Sequence, residues 1–123
     1  MSDIHKNDDG KPVLTLVPRA MLFDIAYVRM YGLKKYPETG EHGWKNLDVD
    51  RIRNAAYRHF VKYLDDPDGV DAESGLPHLW HLACNIAFLC ERERWCKDDF
   101  RENSGWTRIH IGEVEDDSER SVF

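Results

Sequence analysis

The sequence predicts an all-α fold, a compact helical bundle around one buried central helix at about residues 76–95. Three stretches of the chain place their apolar side chains at helical spacing. The third of them is apolar around most of its circumference, which is typical of a helix buried by its own domain or by a partner subunit. Residues 107–111 alternate like a short strand, but the helical stretches outweigh this single candidate.

A chain of 123 residues is long enough for one domain with a modest hydrophobic core. We expect that domain at residues 13–96. A polar, flexible arm is predicted before it at residues 1–12, and an extension with an acidic tail is predicted after it at residues 97–123.

The first helix is predicted to begin near Pro18, because proline suits a first helical turn, and to end at about Tyr31. Gly32 is the expected terminator. The following segment, residues 33–48, is rich in glycine and proline and is predicted to form a long loop. Loops of this length are often functional.

The second helix is predicted to begin at Asp48 or Asp50, either of which can cap it, and to end at about Asp65. Its apolar residues share one face, and His59 lies within that face. A histidine on an apolar face is either a hydrogen-bonded core residue or part of a site, so His59 alone does not decide between them.

Composition excludes several classes of protein. The formal net charge of −6 argues against a protein that binds duplex nucleic acid, although a small phosphate ligand needs only a few local cations. The three cysteines do not form a disulfide framework or a zinc motif and indicate a reducing compartment. No apolar run is long enough to span a bilayer. We therefore predict a cytoplasmic protein, in the host bacterium if it is encoded by a phage.

Three polar residues interrupt the apolar central helix on a single face: His78, His81 and Asn85. Buried polar groups need partners, so this row needs a metal, a ligand or complementary side chains. If the second helix and the central helix pack antiparallel, His59 faces this row. The opposite flank of the central helix is predicted to help bury a homo-oligomer interface, and its residues are Trp80, Cys84 and Phe88.

The acidic turn before the central helix supplies carboxylates, the ligand type that Mg²⁺ prefers. A calcium loop starting at Asp66 fails because its twelfth position is Pro77. For the first acidic residues of the turn we prefer a solvated connection. Asp71 and Glu73 lie next to the polar row, where they could either cap the helix or hold a cation.

The long loop carries cations and aromatic rings: Lys34, Lys35, Tyr36 and Trp44. Such a combination suits a nucleotide, whose phosphates bind cations and whose base stacks on a ring. On composition alone, ordinary surface lysines and a tryptophan that anchors the loop are the favoured interpretation.

The order GLKKY, then Trp44, then AAYRHF, then DAESGLPHLWHLACNIAFL resembles the phage dATP/dGTP diphosphohydrolase family, the MazZ-like proteins related to all-α MazG-type nucleotide pyrophosphohydrolases. The resemblance spans roughly residues 11–91, and its last segment is the most specific. It implies a compact, MazG-like, oligomeric helical domain. It also implies hydrolysis of a purine deoxynucleoside triphosphate, dGTP or dATP, to monophosphate and pyrophosphate with Mg²⁺ (or Mn²⁺).

The chain departs from the better-known MazG-type enzymes, which carry metals on helices bearing ExxE and ExxD. Its ExxE, Glu38 to Glu41, lies in the long loop, and its ExxD, Glu113 to Asp116, lies in the tail. A binding protein that sequesters a nucleotide or a nucleotide-derived signal, for example against host defences, is therefore a second hypothesis. A structural module with a satisfied polar row is a third.

On the enzyme hypothesis, the predicted site divides into three groups of residues. The catalytic candidates are Arg58, His59, His78 and His81. The substrate-binding candidates are Lys35, Tyr36, Trp44 and Asn85. The metal-binding candidates are Asp71 and Glu73.

Overall fold

A computed structural model describes residues 10–93, which contain three α-helices: α1 (Ala20–Lys35), α2 (Val49–Asp65) and α3 (His78–Arg92). Short 3-10 helices occur at Leu14–Leu16, Pro37–Thr39 and Gly43–Asn46. Within the described residues there is no strand, only an isolated bridge between Val70 and Pro77. The all-α prediction is confirmed for this part of the chain.

Several predictions concern residues outside the described range. These are most of the N-terminal arm, the C-terminal extension with its strand candidate, and the ExxD of the tail. The boundaries of the predicted domain are likewise not tested. In the described part of the chain, none of the helices combines the length and the apolar character needed to cross a membrane.

Helix α1 continues one turn beyond the predicted end. Gly32 lies inside the helix, and its carbonyl oxygen accepts the N–H of Tyr36 at 2.9 Å. The prediction that Gly32 terminates the helix is wrong. The effective stop is Pro37, because a proline disfavours helical geometry at the residue before it, and Tyr36 has left the helical region with φ −128° and ψ 64°.

Helix α2 has the predicted boundaries. Asp48 is its N-cap, and the side chain of Asp48 accepts the N–H of Asp50 at 3.1 Å. The apolar face of α2 buries Ile52 and Ala56. This face packs on α3 over the most extensive contact between helices, and α1 packs on α3 as well.

Helix α3 begins at His78 with Pro77 as its N-cap and ends at Arg92, so it is shorter than the predicted span. Its buried residues are His78 and Cys84, whereas Leu79 and Ile86 are 43% and 44% exposed. Within the described residues the chain's own domain therefore buries this helix only in part, and burial by a partner subunit stays a prediction. Helices α1 and α2 both pack on it.

The flank of α3 predicted to face a partner subunit packs inside the chain instead. Trp80 stacks on Tyr27 of α1 with ring centroids 5.7 Å apart, and Phe88 stacks on Trp44 of the long loop at 4.5 Å. Cys84, between them, is 3% exposed. That assignment of the flank is wrong, because α1 and the loop fold over it.

The connection from α2 to α3 folds back on itself. Asp71 donates its N–H to the carbonyl oxygen of Leu76 at 2.8 Å, and His78 donates its N–H to that of Gly69 at 3.1 Å. Gly75, with φ +75°, makes the tight turn. The fold-back sets Asp71 beside the start of α3.

Candidate functional site

Three imidazoles meet between α2 and α3. His59 faces His78 with the two Nδ1 atoms 2.9 Å apart. His81, one turn further along α3, stacks on His59 with ring centroids 4.6 Å apart and an interplanar angle of 11°. His78 is buried, and the other two rings are partly exposed. The structure thus brings His59 to the polar row, as its position on the apolar face of α2 predicts.

The turn before α3 adds Asp71 and Ser74 to these histidines. Asp71 Oδ2 accepts the N–H groups of Glu73 and Ser74 at 3.2 and 2.8 Å. The hydroxyl of Ser74 accepts the N–H of Leu76 at 3.1 Å and is hydrogen-bonded to His81 Nε2 at 2.7 Å. The turn therefore orients both the carboxylate and the imidazole of His81.

The histidine cluster, defined as His59, His78, His81 and Asp71, combines three imidazoles with one carboxylate. Burial, together with the neighbouring rings of His81 and His78, lowers the pKa of His59 to about 4, although the Asp71 carboxylate opposes this. Burial also lowers the pKa of His81, although Asp71 opposes this. Burial alone would raise the pKa of Asp71, but hydrogen bonds from Ser74 and the nearby histidines outweigh it and lower that pKa.

Glu73 lies outside this cluster and forms an ion pair with Lys35. The hydrogen bond to Lys35 lowers the pKa of Glu73 and raises that of Lys35. The Lys35 ammonium also lies 5.0 Å from the ring centroid of Tyr36 and 6.0 Å from that of Tyr31. The two carboxylates predicted as a metal pair thus have different partners.

A cavity of about 500 Å³ lies between α1, the long loop, α2 and α3. A volume of this size is typical of a site for a small molecule. Its walls carry three guanidinium groups, three aromatic rings and one amide, from Arg29, Arg51, Arg58, Tyr36, Trp44, Phe88 and Asn85. Four of the predicted site residues therefore line it, whereas Lys35 and the members of the histidine cluster do not.

Side-chain contacts hold the loop against the helices on one wall of the cavity. Arg29 lies 5.2 Å above the ring centroid of Phe88, donates to the carbonyl oxygen of Glu41, and so links α1 to the loop. Arg92 donates to the carbonyl oxygens of Trp44 and Leu47 at 3.1 and 2.8 Å. Trp44 therefore anchors the loop, as one interpretation predicts, and it also lines the cavity, while its contact with a nucleotide stays a prediction.

The cavity and the histidine cluster share the same helices. Arg58 of the cavity wall precedes His59 in α2, and Asn85 lies one turn after His81 in α3. The amide nitrogen of Asn85 donates to the carbonyl oxygen of His81 at 3.0 Å. The cavity and the histidine cluster are therefore neighbours along α2 and α3.

Sequence reasoning missed Arg29, Arg51 and Ser74 as members of these sites. Arg29 interrupts an otherwise apolar face of α1, and that charge was a usable signal. Arg51 is an exposed residue of the first turn of α2, where nothing in the pattern distinguishes it. Ser74 gains its role from the turn geometry, which a residue pattern does not reveal.

The Mg²⁺ implied by the resemblance fits the described residues only through Asp71. Mg²⁺ is usually held by one or two carboxylates together with substrate phosphates and water. Both backbone bonds to Asp71 end on Oδ2, so Oδ1 is the oxygen left for a cation among the described contacts. Glu73 would first have to release Lys35.

Taken together, these features define a small helical domain with a cationic, partly aromatic cavity beside a histidine cluster, a class suited to phosphorylated aromatic ligands. The chain belongs to the family described as dATP/dGTP diphosphohydrolase, N-terminal, whose model matches residues 2–100. The family resemblance noted in the sequence is confirmed.

A named relative supports the same family. A dATP/dGTP diphosphohydrolase of Salmonella phage PMBT28 is 32% identical over 84 residues, which cover 68% of this chain and 28% of the relative. The chain thus matches less than a third of that relative's length. No solved structure shows a significant match to the chain.

Proposed function

We propose that the chain hydrolyses a purine deoxynucleoside triphosphate, dGTP or dATP, to the monophosphate and pyrophosphate. The observation that carries this proposal is the cavity with three guanidinium groups and three aromatic rings in its walls. Membership of the dATP/dGTP diphosphohydrolase family supports it, as does the name of the phage relative.

The guanidinium groups of Arg29, Arg51 and Arg58 suit the triphosphate. The chain as a whole carries a net charge of −6, so three cations around one cavity are a local feature that its composition does not predict. Guanidinium groups donate pairs of hydrogen bonds to phosphate oxygens, and these charge-assisted bonds are stronger than neutral ones. Negative charge that develops on the phosphates during cleavage would be stabilised in the same way.

The aromatic rings of the loop suit the base. Tyr36 is 49% exposed, and Trp44 is held by its stack on Phe88. Stacking on a ring contributes affinity for any base, about 1–3 kcal/mol per base where it has been measured by alanine substitution. Asn85, an amide in the same wall, can hydrogen-bond the sugar or the base edge.

In the proposed reaction, a water molecule attacks the α-phosphorus atom and the bond from phosphorus to the α–β bridging oxygen breaks. Pyrophosphate leaves with that electron pair, and the proton of the water passes to a base. His81 is our candidate base, because its lowered pKa keeps the imidazole neutral at pH 7. A divalent cation held with the help of Asp71 would supply charge neutralisation and a more acidic water.

The direct test is to incubate the purified chain with each of the four dNTPs and Mg²⁺ and to separate the products. We expect monophosphate and pyrophosphate from dGTP or dATP. Arg58→Gln should lower kcat/KM by about tenfold or more, the equivalent of one charge-assisted hydrogen bond. Lys34→Gln removes the same charge outside the cavity wall and should leave kcat/KM within about twofold.

The same assay separates the rival hypothesis of a nucleotide-binding protein without catalysis. Bound nucleotide recovered intact at one equivalent per chain would support sequestration and overturn the hydrolase proposal. Neither binding nor turnover with any dNTP would overturn both. Membership of the dATP/dGTP diphosphohydrolase family and the name of the phage relative favour the hydrolase over sequestration.

We also propose that the chain forms a homo-oligomer. Its buried apolar residues among those described are Val28, Ile52, Ala56 and Cys84. Large apolar side chains are at least 60% exposed on α1 and α2, namely Leu22, Phe23, Met30, Tyr57 and Leu64. Exposed apolar surface on this scale indicates an interaction surface. Light scattering should give a multiple of 14.4 kDa, and a monomer at micromolar concentration would contradict the proposal.

A further inference from the structure

We propose that His59, Asp71 and His78 bind a divalent transition-metal ion of the class that imidazole prefers, such as Zn²⁺ or Co²⁺, ahead of Mg²⁺. The binding itself follows from the geometry of the cluster. Only the use of the ion, as the resident cation beside the triphosphate, rests on the proposed function.

The ligand atoms are already close to the arrangement that a metal ion needs. One nitrogen each from His59 and His78 and one oxygen of Asp71 lie within 4.8 Å of one another. Donor atoms about 2.0–2.1 Å from a tetrahedral ion are about 3.3 Å apart, so shifts of roughly an ångström assemble the site. The two Nδ1 atoms, 2.9 Å apart, point at each other rather than at separate partners.

The donor set selects the class of ion. Two imidazole nitrogens and one carboxylate oxygen suit zinc, cobalt, iron or manganese, whereas Mg²⁺ prefers oxygen donors alone. The next carboxylate along the chain, Glu73, is engaged by Lys35 and does not change this balance of donors.

Surrounding contacts hold two of the three ligands in orientation. The carboxylate of Asp71 is fixed through Oδ2 by two backbone N–H groups. The ring of His59 is fixed by its stack on His81, which Ser74 in turn holds at 2.7 Å. Such supporting contacts are characteristic of protein metal sites.

Burial leaves one side of the site open. His78 is 7% exposed, whereas His59 and Asp71 are only partly buried. Three protein ligands with an accessible remaining position are the pattern of a catalytic metal site, in which water or substrate completes the coordination. A structural site would instead be closed by a fourth protein ligand.

The test is direct titration of the chelator-treated protein with Co²⁺, which gives visible d–d absorption when imidazole ligands bind it. We expect saturation at one equivalent per chain, loss of the bands when Zn²⁺ is added, and no loss in a hundredfold excess of Mg²⁺. The melting temperature should rise with Zn²⁺, because an ion that binds the folded state stabilises it.

Matched variants locate the ion. His59→Gln and Asp71→Asn change partly exposed residues and should each weaken Co²⁺ binding by more than about tenfold. His42→Gln removes an exposed loop histidine and should leave binding unchanged. His78 is buried, so His78→Gln is interpreted only if circular dichroism is unchanged. Equal Co²⁺ affinity in wild type and His59→Gln would overturn the site.

The outcome is separable from that of the proposed hydrolase. Co²⁺ binding at the cluster without cleavage of any dNTP would uphold the metal site and refute the hydrolase. Full dNTP turnover with Mg²⁺, in protein that binds no Co²⁺, would refute the metal site and uphold the hydrolase. In that second case the contact between His59 and His78 is an ordinary hydrogen bond that shares one proton.

Discussion

Replacing Ser74 by alanine should destabilise the turn that orients the histidine cluster. The Ser74 hydroxyl bonds both His81 Nε2, at 2.7 Å, and the N–H of Leu76, at 3.1 Å. A hydrogen bond contributes about 0.5–1.5 kcal/mol net, and a buried group left without a partner costs about 1–3 kcal/mol. Because His81 and Leu76 are partly exposed, water replaces part of the loss. We therefore expect Ser74→Ala to cost about 1–2 kcal/mol.

Urea denaturation followed by circular dichroism measures this loss. A cost of this size corresponds to a fall in melting temperature of about 5–10 °C for a domain of this size. Thr39→Val is the matched control, because it removes an exposed hydroxyl that donates only to the carbonyl oxygen of Tyr36. That control should change the free energy of unfolding by less than about 0.5 kcal/mol.

A double-mutant cycle isolates the bond between Ser74 and His81. Ser74→Ala and His81→Leu should each destabilise the protein, and together they should cost about 1 kcal/mol less than the sum of the single changes. Strict additivity would mean that the two side chains do not interact in solution. Wild-type stability of Ser74→Ala would refute the argument for the whole turn.

Three further predictions rest on other features of the described residues. In chelator, unfolded His59 titrates near its ordinary pKa of 6.5 and the folded residue near 4, so the unfolded chain binds more protons between these values. Because of this residue, the free energy of unfolding should fall by about 1–2 kcal/mol from pH 7 to pH 4. Denaturation of His59→Gln at the same pH values should not show this part of the fall. Gly75→Ala should cost about 1–2 kcal/mol in thermal melts, because the φ of +75° disfavours a side chain even though the surrounding space is open. Burial raises the pKa of the Cys84 thiol to about 11, so Cys84→Ala should leave the count of rapidly labelled thiols unchanged, whereas Cys90→Ser should lower it by one.

The sequence by itself determined the local features of the fold. Asp48 marks the start of α2 because an aspartate side chain can bond the first free N–H groups of a helix, and it does so here. Helical periodicity placed His59 on the apolar face of α2, and it grouped His78 and His81 on one face of α3. Each of these signals lies within a few residues of its consequence, so a sequence pattern is enough to reveal it.

The sequence also led to the family, because the quoted segments lie along one continuous stretch of the chain. It misjudged the end of α1, where Gly32 and Pro37 both signal a stop within a few residues. Continuing the helix through Gly32 costs about 1 kcal/mol, which packing on α3 can offset. Pro37 cannot be offset in this way, because a proline disfavours helical geometry at the residue before it.

Only the tertiary structure decided how the site residues are divided. Arg58 and Asn85 line the cavity while their neighbours His59 and His81 join the histidine cluster, because adjacent positions on a helix point about 100° apart. The fold-back of the α2–α3 connection brings Asp71 to the imidazoles, and Lys35 draws Glu73 away from them. Such contacts join segments distant in sequence, and their geometry depends on how all three helices pack. No local pattern encodes that packing, so which carboxylate meets the histidines was settled by the fold.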